Sequence, residues 1–154
     1  MTQEELKVSQ AMEKSVMVVE LNMTVRECAK AMAKRGVSSA VITQNGKALG
    51  IVTERDLVSK VMAEAIDAEK VLVRDIMSTP LITISPDAQL KEAAELMAEY
   101  RIRRLVVLDS TGVLVGIVTT GDIARTMAEK QGYRDATFNA MARYNEGIDG
   151  GPYQ

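Results

Sequence analysis

The chain has 154 residues, enough for one compact domain or for two small repeats too thin to bury separate cores. Hydrophobic residues make up 47%, sufficient for a core, while 19 basic against 21 acidic side chains give no bulk attraction to a phosphate backbone. One cysteine and no histidine exclude an internal disulfide and remove the commonest metal ligand and general base, which argues against zinc sites and hydrolase triads.

No apolar run approaches the ~20 residues of a membrane span. The opening Met1-Thr2-Gln3-Glu4-Glu5 is acidic rather than signal-like, so a cytoplasmic location is expected.

In chain order, residues 16–19 form a short β-rich run, followed by Asn22, a residue able to cap a helix. Val25, Cys28, Ala29 and Met32 then fall at i, i+3, i+4 and i+7, which predicts a helix with one buried face. Two strands, 40–43 and 48–53, flank the turn residues Asn45-Gly46. A second helix runs through Leu57, Val58, Val61 and Met62, and residues 63–72 read as a polar, Ala- and Glu-bearing linker compatible with a helix.

The order then starts again. Residues 81–84 are β-rich, Asp87 occupies the capping position, and Leu90, Ala93, Ala94 and Met97 repeat the helical face. Strands 105–108 and 113–119 flank Ser110-Thr111-Gly112, and a last helix passes through Ile123, Ala124 and Met127. The tail, 129–154, lies outside the repeat and holds Tyr133, Phe138, Tyr144 and Tyr153. A short helix over 135–144 would put Phe138 and Met141 on one side, and both docking and disorder of the tail stay open.

The duplication is direct. Gly50-Ile51-Val52-Thr53-Glu54-Arg55-Asp56 recurs as Gly116-Ile117-Val118-Thr119-Thr120-Gly121-Asp122 at an offset of 66, while Met12/Met77, Glu27/Glu92 and Met32/Met97 stand at 65. One residue is therefore inserted in the turn near Asn45-Gly46. The expected class is α/β (α+β), two β-α-β-β-α repeats over 7–62 and 73–128 related by a pseudo-two-fold axis, each supplying the burial that the other needs.

With this repeat, the Met77-Ser78-Thr79-Pro80 lead-in, Ser85-Pro86-Asp87 before a helix and the doubled Gly-Ile-Val-Thr-x-x-Asp, the sequence resembles the CBS-domain family. Two copies make a Bateman module, and the resemblance covers roughly residues 7–128. It implies a regulatory module that binds an adenine nucleotide (AMP favoured, also ADP, ATP or S-adenosylmethionine) between its repeats and modulates a separate protein. It also implies a disc-like homodimer.

Thr and Asp three apart at a strand-to-helix junction gather around a helix N-terminus, where free N–H groups and the helix dipole favour an anion. Thr53 and Thr119 can donate a hydroxyl, and Asp56 and Asp122 can accept from ribose hydroxyls. Family analogy completes the Asp56 site with Leu81, Ile82, Arg103 and Arg104, and the Asp122 site with Val16, Met17, Ser38 and Ser39. Gly121 would let a ligand approach closely. On this assignment the Asp56 site would take the more highly charged ligand, and Met17 could touch an adenine ring.

Thr-x-x-Asp is equally the sequence of a capping box that binds nothing. A ligand-free dimerisation scaffold is therefore the alternative, followed by a nucleic-acid binder using Arg101 to Arg104, which the net charge disfavours. Cys28 is read as a buried core residue matching Ala93, and Glu27 and Glu92 as structural. No catalytic or metal-ligating residue is assigned, so no enzyme activity and no cofactor are expected.

Overall fold

The computed structural model describes residues 5–130; the short helix expected over 135–144 lies outside the described residues. The chain divides into two compact units, one built from residues 16–82 and the other from 5–15 together with 83–130.

In the first unit, β1 (Val18–Glu20) runs parallel to β2 (Ser39–Gln44), which pairs antiparallel with β3 (Lys47–Thr53), giving the order β1-β2-β3. Helix α1 (Val25–Arg35) connects the parallel pair. A short α-helical turn, α2 (Glu54–Asp56), leads into a π-helical stretch over Leu57–Met62. After the linker comes the short α3 (Val73–Ile76). Hydrophobic spacing explains the burial: Val25, Cys28 and Met32 of α1 pack with Val19, Ala40, Ile42 and Val52 of the sheet. Val73 and Ile76 close the same core.

The second unit repeats the plan. β4 (Thr83–Ile84) is parallel to β5 (Arg104–Leu108), which is antiparallel to β6 (Leu114–Thr119). Here α4 (Leu90–Tyr100) makes the connection and α5 (Thr120–Lys130) follows β6 as a regular α-helix. Its core holds Leu90, Ala93, Met97, Leu105, Val107 and Val118, together with Val8 and Ala11 from the opening of the chain.

Three local expectations are corrected. Helix α1 is capped by Thr24 rather than Asn22: the Thr24 hydroxyl accepts from the Glu27 amide at 3.1 Å and the Glu27 carboxylate accepts from the Thr24 amide at 3.3 Å. The helix in the second unit likewise starts after Gln89 rather than Asp87, with the Glu92 carboxylate accepting from the Gln89 amide at 3.3 Å. A glutamate three residues into the helix satisfies amides that a cap two residues upstream cannot reach, which explains why Glu27 and Glu92 match across the repeats. The linker 63–72 forms turns rather than a helix, because its backbone is spent on α1: the Val71 and Ala68 carbonyls accept from the Val25 and Arg26 amides at 2.8 and 3.0 Å.

The units and the sequence repeats are different divisions of the chain. Each unit is completed by the opening segment of the other repeat. Residue Glu13 bridges antiparallel to Ile117 of β6, and Ser78 bridges in the same way to Ile51 of β3. The matched glycines follow from this. A Cβ on Gly116 would lie 2.9 Å from the Glu13 carbonyl oxygen and 2.8 Å from Met12 Sδ; on Gly50 it would lie 3.0 Å from the Ser78 carbonyl oxygen and 2.8 Å from Met77 Sδ. Only glycine admits a lead-in segment this close. The turn between β2 and β3 has positive φ at both Asn45 and Gly46, which suits the twist of a two-residue hairpin.

Candidate functional site

Each unit carries one junction at which a strand hands over to a helix. At the first, β3 ends in Thr53, whose hydroxyl accepts from the Asp56 amide at 3.3 Å. Oδ2 of Asp56 returns the contact, accepting from the Thr53 amide at 2.9 Å and the Thr53 hydroxyl at 3.2 Å. At the second, the Thr119 hydroxyl accepts from the Asp122 amide at 3.1 Å, and Oδ2 of Asp122 accepts from the Thr119 amide at 2.9 Å. Both copies are thus capping boxes in geometry. Capping occupies one carboxylate oxygen, and the chemistry of each site depends on what meets the other.

Oδ1 of Asp56 accepts from the Ser78 hydroxyl at 3.2 Å and lies 2.9 Å from the Lys60 ammonium. Asp56 is the one charged residue buried among the described residues, at 6% exposure. Among the described residues, Oδ1 of Asp122 is met by the Arg125 guanidinium at 3.0 Å. Lys60, Ser78 and Arg125 had no functional assignment in the sequence. The spacings Asp56/Lys60 and Asp122/Arg125, four and three apart on a helix, were the available signals for two of them.

The β ladders decide which neighbours each junction has. Ser39 pairs with Thr53 and the Ser38 carbonyl accepts from the Glu54 amide at 3.0 Å. Arg104 pairs with Thr119 and the Arg103 carbonyl accepts from the Thr120 amide at 3.0 Å. Within the units, therefore, the serines stand beside Thr53 and Asp56, and the arginines beside Thr119 and Asp122. An antiparallel pair aligns the start of one strand with the end of the next, and spacing alone does not carry that register.

Leu81 and Ile82, both half-buried, belong to the same unit as Asp56 and follow Ser78 closely in the chain. Val16 is half-buried, but Met17 is 5% exposed and packs in the core with Val19 and Val25, its carbonyl accepting from the Val41 amide at 2.9 Å. Its side chain is thus spent on the core of the first unit. Gly121, half-buried, is the second residue of α5.

Cys28 and Ala93 are both fully buried, and burial pushes the Cys28 thiol above its ordinary value. No group of three His, Cys, Asp or Glu gathers into a metal-sized cluster among the described residues. No helix among them is long and apolar enough to cross a membrane.

Comparison with known proteins gives the same organisation. The chain is 33% identical over 132 residues to the CBS domain-containing protein YhcV of Bacillus subtilis, covering 86% of this chain and 93% of that one. It is 45% identical over 101 residues to an uncharacterized protein of Methanopyrus kandleri, of which it spans only about half (52%), with 65% of this chain covered. Among solved structures, the CBS domain pair of protein MJ0100, crystallised with 5′-methylthioadenosine and S-adenosylmethionine, superposes with a TM-score of 0.74 at 29% identity, covering 82% of this chain and 99% of that one. The CBS domain profile matches residues 8–63 and again 73–129, so the chain belongs to the CBS-domain family and carries two copies of the domain.

Proposed function

We propose that this chain is a regulatory module that binds an adenine nucleotide at its strand-to-helix junctions and modulates a separate protein, without catalysing a reaction. The observation that carries the reading is the doubled junction itself: a threonine hydroxyl, a carboxylate and the N-terminal amides of a helix converge at Thr119–Asp122, with Arg103 and Arg104 on the adjoining strand end. Helix amides and guanidinium groups suit phosphate, and a carboxylate suits a ribose diol. The related MJ0100 pair was crystallised with two adenosine derivatives, which supports an adenosine-containing ligand.

The arginines at this junction favour a phosphorylated ligand, with AMP the simplest, ahead of ADP, ATP or S-adenosylmethionine. On this reading the more highly charged ligand goes to the Asp122 junction. Regulation requires that the ligand bind two states of the module with different affinity. Exposed Val58 and Met62, at 59% and 78%, fit a homodimer that covers this stretch.

The test is the melting temperature with AMP, ADP, ATP and S-adenosylmethionine in turn, repeated on Asp122→Ala. A ligand at about 100 times its dissociation constant adds roughly 2.7 kcal/mol, a shift of several degrees. A shift that Asp122→Ala removes supports the sensor; no shift with any of the four replaces it with a ligand-free scaffold.

A further inference from the structure

Helices α1 and α4 each have 11 residues and match position for position at an offset of 65. Their inner faces agree: Val25, Cys28 and Met32 are buried in one, Leu90, Ala93 and Met97 in the other. The small residues agree as well, Ala29 and Ala33 against Ala94 and Ala98. So do the first turns, where Arg26-Glu27 and Lys91-Glu92 each carry one charge of either sign. The outer faces then part. Exposed Lys30 and Lys34 stand where the other copy has exposed Glu95 and Glu99.

A spacing of four puts each like-charged pair on one stripe of its helix. These side chains lie outside both cores, so packing within a unit does not require the reversal. Helix stability does not explain it either. Basic Lys34 suits the last turn of α1, but Glu99 lies in the last turn of α4, where the helix dipole disfavours an anion. Glu95 is met by Lys91 at 4.0 Å between side chains 65% and 80% exposed, a contact of small worth in water. Tyr100, 51% exposed, ends the acidic helix with an aromatic ring of the kind enriched at interfaces.

We infer that the two stripes complement one another between copies: α1 of one chain docks on α4 of a second, and α4 of the first on α1 of the second. The occupant is a second copy because the chain itself displays the basic stripe and its complement at matched positions, beside the same small alanines. Such a contact is reciprocal, as in a two-fold pair. The other arrangement, each helix on its own counterpart, would set lysines against lysines and glutamates against glutamates. Charge reversal between the repeats therefore selects one orientation of the pair and disfavours the other. The inference rests on the homodimer proposed above for the existence of a second copy; it adds which face meets which, and it needs no nucleotide.

Sedimentation equilibrium of the full-length chain tests it with two variants, Lys30→Glu/Lys34→Glu and Glu95→Lys/Glu99→Lys, their folds checked by circular dichroism. The wild type is expected as a dimer. Each variant should dimerise at least ~100-fold more weakly, because reversal replaces attraction by repulsion at both halves of the contact. Added salt should loosen the wild type and tighten the variants, since screening weakens attraction in one and repulsion in the other. All four substitutions in one chain restore opposite signs and should bring the dissociation constant back to within ~tenfold of the wild type. A dimer that either reversed variant forms as tightly as the wild type overturns the pairing and leaves the homodimer standing, because with like helices facing, repulsion is already present and one reversal changes nothing. Failure of the four-substitution chain to recover also overturns it. A wild type that stays a single chain at its highest soluble concentration overturns the homodimer and this inference together.

Discussion

The Thr53–Asp56 and Thr119–Asp122 junctions share a motif and are capped in the same way, yet among the described residues the second carboxylate oxygen meets Lys60 and Ser78 at one and Arg125 at the other. The difference does not lie in the shared Thr-x-x-Asp. It lies in residues outside it: Lys60 against Thr126, Ser78 against Glu13, Ser39 against Arg104. Duplication preserved the scaffold of helix start and cap, while the residues around it diverged.

The cores diverge in a similar way, and this offers the strongest handle on the comparison. Ala40 and Leu105 are matched positions on β2 and β5, each about 1% exposed, but only the second unit relies on a leucine there. Leu105→Ala should lower stability by about 2–5 kcal/mol, read by denaturant or thermal unfolding, because it leaves a cavity in a fully buried layer. A loss below ~1 kcal/mol would mean that the second core collapses around the smaller residue.

The glycines come next. Gly116→Ala and Gly50→Ala should each cost about 1–3 kcal/mol by overpacking, since the new Cβ would meet the Glu13 carbonyl oxygen at 2.9 Å and the Ser78 carbonyl oxygen at 3.0 Å. Pairing Gly116→Ala with Met12→Ala should recover only part of the loss, because the backbone oxygen stays in place. Full recovery would show that the methionine alone sets the contact.

A smaller effect separates the two carboxylates. Lys60→Met should destabilise by about 1–2 kcal/mol, since it removes the charged partner of a buried carboxylate, although the lysine side chain is 42% exposed and partly screened. Arg125→Met should cost less, because it severs a contact within one helix. Equal losses in urea titrations would erase the distinction between the junctions.

The smallest effect concerns the turn that carries the extra residue of the second repeat. The Thr111 hydroxyl, at 2.6 Å, and the Val113 and Thr111 amides, at 3.0 and 2.9 Å, hold the Asp109 carboxyl below its ordinary value of 3.8. Its folded value is depressed, so its contribution is present above the unfolded pKa and fades as pH falls through the folded one. Asp109→Asn should therefore narrow the gap to wild type only below about pH 4, visible as slightly converging melting curves. The first unit, where Asn45-Gly46 makes the turn, has no such dependence there.

Much of this was legible in the sequence because it is local. Helical spacing identified Val25, Cys28 and Met32 as one buried face, Asn45-Gly46 marked a hairpin, and the recurrence of Gly-Ile-Val-Thr-x-x-Asp exposed the duplication and the Thr–Asp pairs. Each depends on neighbours a few residues apart, whose geometry the backbone fixes. The caps were misplaced by two residues because Asn22 and Asp87 have the right chemistry, and only reciprocity with Glu27 and Glu92 selects Thr24 and Gln89.

The repeat, the order of its elements and the chemistry available at each junction follow from residues close together in the chain. Tertiary structure alone decided that Arg103 and Arg104 stand beside Thr119, that Met17 is spent on the core, and that Lys60 and Ser78 close on Asp56. It also decided that the opening segment of each repeat belongs to the unit built on the other. These are pairings across tens of residues, set by strand register and by which backbone finds its hydrogen-bond partner, and no spacing along the chain encodes them.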